Sequence, residues 1–139
     1  MRAISLWQPW ATAIAVKSKR VETRSWQTNY VGMLAIHAAK RWTRDEQEFA
    51  AMQIEAGHLP AIIPLGKIVA IARLDGCRRT EDVEHQLGDV ERSFGNYAPG
   101  RWAWFLSDIR AIVEPIPFKG AQGFFNVPDV LFADIQTKP

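Results

Sequence analysis

Short β-prone segments spread along the chain constrain its fold more than any other feature. Alternation of side chains or β-branched and aromatic composition predicts six strands. They cover residues 3–6, 21–26, 31–38, 66–74, 101–106 and 109–113, with Asp75-Gly76 expected to end the fourth. Helical patterns separate them too irregularly for repeated strand-helix-strand units. We therefore expect an α+β fold, a small mixed sheet or barrel of five or six strands, rather than a doubly wound sheet.

Four helical segments are predicted between and after these strands, at residues 9–16, 43–57, 80–94 and 128–134. Pro9 suits the first turn of the first helix, because proline lacks the amide hydrogen that this turn leaves unused. Thr43 and Glu46 form a capping box for the second, and Gly57 ends it. The third begins with acidic residues that favour a helix N-terminus.

Length and composition bound the class of protein. A chain of 139 residues suits one domain, at residues 1–139, and 47% apolar residues with six tryptophans argue against disorder. No apolar run approaches the roughly 18 residues that a membrane span needs, so no membrane partner is expected. Cys77 is the only cysteine, which excludes an internal disulfide and argues against structural zinc. We expect a cytoplasmic protein with no metal and no cofactor.

The segment at residues 17–26 concentrates polar chemistry. Four cations surround Glu22 there, and a tryptophan closes the run. Because side chains alternate along a strand, Glu22, Arg24 and Trp26 are expected on one face. An acceptor, a forked donor and an aromatic ring can read a base edge, bind a phosphate and stack a base. The simpler alternative is an exposed ion pair beside a core tryptophan.

Charge is distributed unevenly along the chain, although the net charge is only +2. Residues 1–44 carry eight Lys or Arg and a single acid, whereas residues 45–95 carry five Lys or Arg and ten acids. A basic N-terminal third joined to an acidic middle predicts a localised anion-binding surface rather than a generally adhesive protein.

Several motifs of the N-terminal third resemble the ASCH domain family. They are Gln8-Pro9-Trp10-Ala11, Lys19-x-x-Glu22-x-Arg24-Ser25-Trp26 and Ala39-Lys40, and they look most similar to the C-terminal domain of activating signal cointegrator. The resemblance is dense over residues 1–42 and looser beyond them. The family has glycine where this chain has Lys17, a costly change if the turn needs a positive φ. This resemblance implies a PUA-like β-barrel with helices against its openings.

The resemblance and the basic segment together predict a binding site for RNA, DNA or a modified nucleoside. The residues expected to form this site are Gln8, Pro9, Trp10, Lys17, Lys19, Arg24, Trp26 and Lys40. The choice between RNA and DNA stays open, because it depends on contacts to the 2′-hydroxyl group. Protein partners are not predicted.

A catalytic role is the alternative. Without a Gly-x-Ser-x-Gly, phosphate-loop or His-Glu-x-x-His motif, the candidates are Lys19 as base or nucleophile and Glu22 as its carboxylate partner. Some ASCH relatives are amidohydrolases that act on N4-acetylcytidine through a lysine, a threonine and a glutamate, and others are proposed ribonucleases. Lys19 matches that lysine, but Glu22 occupies the threonine position, so a binding module is favoured over a metal-independent enzyme. His37 is expected to be a hydrogen-bonded histidine rather than a proton-transfer group.

Overall fold

The computed structural model describes all residues from 1 to 139. Seven strands form one sheet: β1 (Arg2–Leu6), β2 (Val21–Arg24), β3 (Gly32–Ala38), β4 (Lys67–Arg79), β5 (Trp102–Pro117), β6 (Phe124–Asn126) and β7 (Thr137–Lys138). Four α-helices accompany them: α1 (Trp10–Ala15), α2 (Arg44–Glu55), α3 (Thr80–Val83) and α4 (Asp89–Ser93). Single 3₁₀ turns occur at Glu84–Gln86 and Asp129–Phe132. No helix is both long enough and apolar enough to cross a membrane.

The sheet is mixed and curled. Its strand order is β2-β5-β4-β3-β1-β6, with β7 added on β5, and only the β1–β3 pair is parallel. Although β2 and β6 stand at opposite ends of this order, Trp26 beside β2 contacts Phe124 of β6, with ring centroids 5.5 Å apart. The two ends of the sheet therefore meet through side chains. The predicted α+β fold with a PUA-like mixed barrel is confirmed. The sheet has seven strands rather than five or six, because the predicted strands at residues 101–106 and 109–113 form one strand and β6 and β7 are added.

Two predicted strand ends were wrong because the chain bulges without leaving the sheet. β4 continues through Asp75-Gly76 to Arg79, and the pairing register with β5 shifts between Leu74 and Gly76. β5 likewise joins two predicted strands into one of 16 residues. An extra residue at a bulge bends a strand and lets pairing resume on the other side.

The predicted helix at residues 80–94 was also wrong. The segment forms α3, a 3₁₀ turn and α4, and Gly88 between the last two has an extended backbone. Tertiary packing explains the break. Val83 packs against Val21 and Ala103, whereas Phe94 packs in a different cluster with Ala13 and Leu59. Glycine weakens the helix at the point where the two clusters require the chain to change direction.

The main core lies between α1 and the face of the sheet that carries Leu34 and Ile36. It contains Trp104, which is completely buried, and the side of α1 that carries Ile14. α1 ends in a turn where Lys17 has a φ of 68°. The backbone of this lysine therefore adopts the left-handed conformation, which glycine would adopt with less strain. The turn does need a positive φ at the position where the family has glycine.

His37 lies on the face of the sheet opposite the main core, where it contacts Phe125 and hydrogen-bonds the segment that follows β5. Its Nε2 is 2.7 Å from the carbonyl oxygen of Phe118, so Nε2 carries the hydrogen and Nδ1 accepts from the Ser5 hydroxyl at 2.9 Å. Burial lowers the pKa of His37 and only the Phe118 hydrogen bond opposes it, which favours this neutral form. A Cβ atom on Gly120 would lie 2.6 Å from the His37 ring, so the close approach requires glycine. The prediction of a hydrogen-bonded histidine is confirmed.

Candidate functional site

A cavity of about 530 Å³ opens between β2, the start of α1, α2 and the loop that follows α4. This volume falls in the range of about 300–1,000 Å³ typical of small-molecule sites. Its aromatic lining consists of Trp7, Trp10, Trp26, Phe49 and Phe94. Its polar lining includes Glu22, Thr23, Arg24, Ser25, Asn96 and Arg101. The cavity therefore combines ring faces with one carboxylate and two guanidinium groups.

Glu22 and Arg24 form the polar centre of this cavity. Both belong to β2, and they pair with Trp104 and Trp102 of β5, so the sheet fixes them on one face. The Arg24 Nη2 atom donates to the carbonyl oxygen of Ser5 at 2.9 Å. Its Nε atom is 3.3 Å from Oε2 of Glu22 but makes no hydrogen bond within the protein. The arrangement leaves a half-buried carboxylate and a guanidinium group side by side at the cavity wall.

Lys19 lies behind this wall and does not line the cavity. Its side chain is fully buried. The ammonium group donates to the carbonyl oxygens of Val21 at 2.6 Å and Phe94 at 2.8 Å, and it is 3.4 Å from Oε1 of Glu22. The predicted contact between Lys19 and a phosphate does not fit this geometry, because all three donor directions of the ammonium group are directed into the protein. Lys19 instead positions Glu22.

Two further titratable groups extend this buried cluster. Glu91 accepts hydrogen bonds from the backbone amides of Arg20 and Val21, yet burial raises its pKa above the ordinary value for a carboxyl group. The pKa of Tyr97 is also raised, first by burial and then by the nearby charges of Glu91 and Glu22. The Tyr97 hydroxyl group is buried and has no hydrogen-bond partner in the protein. Polar groups thus continue from Glu22 into the interior beneath the cavity.

The aromatic side chains around the cavity differ in how firmly they are packed. Trp26 stands edge to face with Trp104, at 4.7 Å between ring centroids, while also lining the cavity. Trp10 stacks on Phe49 of α2 at 5.2 Å. Both tryptophans therefore serve the core and the cavity wall together, rather than one or the other.

Four other residues predicted for the site do not line the cavity. Gln8 is fully buried and uses its amide group inside the protein, donating to Thr12 and to the carbonyl oxygen of Pro64. Pro9 beside it is also buried. Lys17 borders a separate depression of about 260 Å³, and Lys40 is exposed on the surface. Gln8 and Pro9 are therefore interior residues, whereas Lys17 and Lys40 lie outside the cavity with part of their side chains exposed.

The structure also adds lining residues that sequence patterns missed. Asn96 lies in the loop that follows α4, Arg101 directly precedes β5, and Phe49 lies on α2. Arg101 donates to the carbonyl oxygens of Asn96 and Thr23, which ties the loop to β2. Trp7 directly precedes the Gln8-Pro9-Trp10-Ala11 motif and was not predicted to contact a ligand. No group of three or more His, Cys, Asp or Glu side chains is placed to hold a metal ion.

A half-open mixed barrel with short helices at its opening defines a PUA-like domain. The ASCH domain family model matches residues 4–116, and the chain belongs to this family. The fold is similar to crystal structures of ASCH from Zymomonas mobilis and of a point mutant of that protein, each with a TM-score of 0.61 and 18% identity. The alignments cover 97% of this chain and 95% and 98% of those chains, respectively. No curated protein matches the sequence significantly.

Proposed function

We propose that the protein binds single-stranded nucleic acid, RNA or DNA, or a modified nucleoside, by accepting one base in the cavity beside β2. The observation that carries this proposal is the joint lining of the cavity by three tryptophans and the Glu22–Arg24 pair. Base stacking on aromatic rings contributes about 1–3 kcal/mol per base and tolerates every base. The neighbouring carboxylate and guanidinium groups supply an acceptor and donors for a base edge.

The cations at the cavity opening complement the phosphate groups of such a ligand. Arg24 and Arg101 line the cavity, and they belong to a chain whose basic residues concentrate in its first third. Arginine suits phosphate recognition because its planar group donates two parallel hydrogen bonds. A nucleotide with its base among the tryptophans would therefore have cations within reach of its backbone.

Three finer assignments accompany this proposal. The motifs Gln8-Pro9-Trp10-Ala11 and Arg24-Ser25-Trp26 support a particular kinship with the C-terminal domain of activating signal cointegrator. The length supports one ASCH domain at residues 1–139. A single cysteine supports a cytoplasmic location.

Wild-type protein is expected to bind single-stranded RNA or DNA 12-mers with an affinity that falls as salt rises, because bound phosphates release counterions. Arg101→Ala should reduce the slope of log affinity against log salt by about one. Arg73→Ala is the matched control, since Arg73 is similarly charged, half exposed and absent from the cavity lining. Fluorescence titration at several salt concentrations measures both slopes. If the wild-type protein shows no saturable binding at any salt concentration, the proposal is rejected. Equal slopes for wild type and Arg101→Ala would reject the phosphate contact of Arg101.

The amidohydrolase is retained as a second candidate because Lys19 and Glu22 lie in contact, 3.4 Å apart. Such an enzyme would add water across the amide bond of N4-acetylcytidine, breaking the C–N bond and releasing cytidine and acetate. The burial of Lys19 behind Glu22 ranks this candidate below the binding function. A ribonuclease acting in the same cavity is the remaining alternative, and no particular contact favours it.

Incubating the wild-type protein with N4-acetylcytidine distinguishes the two leading candidates. We expect nucleoside binding without acetate release between pH 6 and 9, because the buried ammonium group has no open path to the substrate. Chromatography of the nucleosides, with a protein-free control, measures the outcome. Steady conversion to cytidine would contradict this expectation and make the cavity an active site.

A further inference from the structure

Trp7 is a large apolar side chain that the fold leaves open. It lies between β1 and α1, with 53% of its surface exposed, and it belongs to none of the apolar clusters of the core. It also lines the cavity, so part of its open surface faces the space proposed for a base. An indole in this position contributes little to the stability of the fold, so its orientation must be fixed by contacts outside the apolar core.

A chain of three side chains holds the Trp7 ring. The Arg41 guanidinium group lies over it, with Cζ 4.0 Å from the ring centroid. Nε of Arg41 donates to the carboxylate of Glu46, which is only 3% exposed and also accepts from the hydroxyl group of Thr43. The Thr43 hydrogen bond, together with Arg41, lowers the pKa of Glu46 and keeps it ionised. A buried carboxylate thus fixes a cation, and the cation covers one face of an exposed indole.

The geometry points to a stacking position for a second base. We propose that Trp7 receives the base adjacent to the one in the cavity, so that the ligand is a single strand of at least two nucleotides rather than a free nucleoside. This inference rests on the proposed function, because it assumes a first base beside β2. A ring that is already held by Arg41 loses little freedom when a base stacks on it, and preorganisation of this kind raises affinity.

Arg41 is suited to the backbone of such a strand. Its only hydrogen bond within the protein is made through Nε, which leaves the two terminal nitrogens free to donate, and the side chain is half exposed. A phosphate group between the two bases could then contact these nitrogens while the guanidinium group still covers Trp7. Arginine makes both contacts at once, because its plane stacks while its edge donates.

A second arginine-tryptophan stack in the protein provides a comparison. Arg79 lies over Trp102, with Cζ 4.8 Å from the ring centroid. Trp102, however, packs against the main core and does not line the cavity. Both stacks consist of an arginine over a tryptophan, but only the Trp7 stack borders the cavity. Comparing variants of the two arginines therefore distinguishes an effect specific to the cavity from a general effect of losing one positive charge.

The experiment compares short strands with single nucleotides. Dissociation constants are measured by NMR titration for uridine, cytidine and adenosine 5′-monophosphates and for the corresponding tetranucleotides. We expect wild type to bind at least one tetranucleotide at least tenfold more tightly than its mononucleotide. Trp7→Ala should weaken the tetranucleotide about fivefold or more and the mononucleotide by a clearly smaller factor, since the stacking of the second base is lost only from the longer ligand. Trp7→Phe should restore most of the difference.

The arginine variants locate the effect. Arg41→Ala should also weaken the tetranucleotide severalfold, whereas Arg79→Ala, which removes the same charge from the other stack, should leave it within twofold. Equal tetranucleotide affinities of wild type and a folded Trp7→Ala would overturn the second stacking position, as would equal losses in Trp7→Ala for both ligand lengths. Absence of binding to either ligand class by wild type would instead overturn the proposed function itself.

Discussion

Replacing Lys19 by alanine is expected to lower the free energy of unfolding by about 3–5 kcal/mol, the usual cost of removing one partner from a buried ion pair. The ammonium group contacts two backbone carbonyl oxygens and the carboxylate of Glu22 from a fully buried position. Alanine would leave those three acceptors without their donor and would open a cavity beside Phe94. Buried acceptors that lose their partner incur most of their desolvation cost.

Urea denaturation of wild type and Lys19→Ala measures this loss. Lys40→Ala is the matched control, because Lys40 is exposed and the same number of methylene groups and the same charge are removed. It should change stability by less than about 0.5 kcal/mol. A loss below about 1 kcal/mol for Lys19→Ala would contradict the buried network. The result also determines how binding data are interpreted, since a weakened site in Lys19→Ala would reflect a displaced Glu22 rather than a lost phosphate contact.

Sequence reasoning placed the polar residues of β2 on a common face, and this could be predicted because a strand alternates strictly. Glu22 and Arg24 do face the same side, opposite Trp104 and Trp102. The alternation says nothing about a side chain in the turn before the strand. Lys19 turns inward because one of its acceptors is the carbonyl oxygen of Phe94, a residue 75 positions away, and no local pattern reports such a contact.

The same limit applies to the other side of the cavity. Asn96 and Arg101 reach the site because the broken helix region folds back toward β2, where the backbone N–H of Asn96 donates to the Thr23 hydroxyl group. The sequence indicated a continuous helix at residues 80–94 from its apolar spacing. Spacing shows that Val83 and Phe94 are buried, which they are, but not that two separate clusters bury them. Which loop completes a cavity is set by such long-range packing.

Replacing Arg24 by alanine is expected to weaken the binding of a single-stranded RNA or DNA 12-mer by about 30-fold or more, or at least about 2 kcal/mol. Arg24 lines the cavity, donates to the carbonyl oxygen of Ser5 and flanks Glu22, so it both orders the wall and presents a cation to the ligand. Its removal would leave the Glu22 carboxylate at the cavity wall with only the buried Lys19 beside it, so a negative charge would face the polyanion where a cation now stands. Fluorescence titration at one fixed salt concentration measures the loss.

Arg24→Lys separates charge from geometry. Lysine restores the positive charge but cannot donate to Ser5, flank Glu22 and contact a ligand at once, because an ammonium group lacks the planar fork. We expect Arg24→Lys to keep the salt dependence of wild type while recovering only part of the affinity. Thermal unfolding of all three proteins checks that the fold is intact. If Arg24→Ala binds with the affinity of wild type, Arg24 does not belong to the site. If Arg24→Lys recovers the full affinity, only the positive charge contributes to binding, and the fixed pairing with Glu22 does not select the ligand.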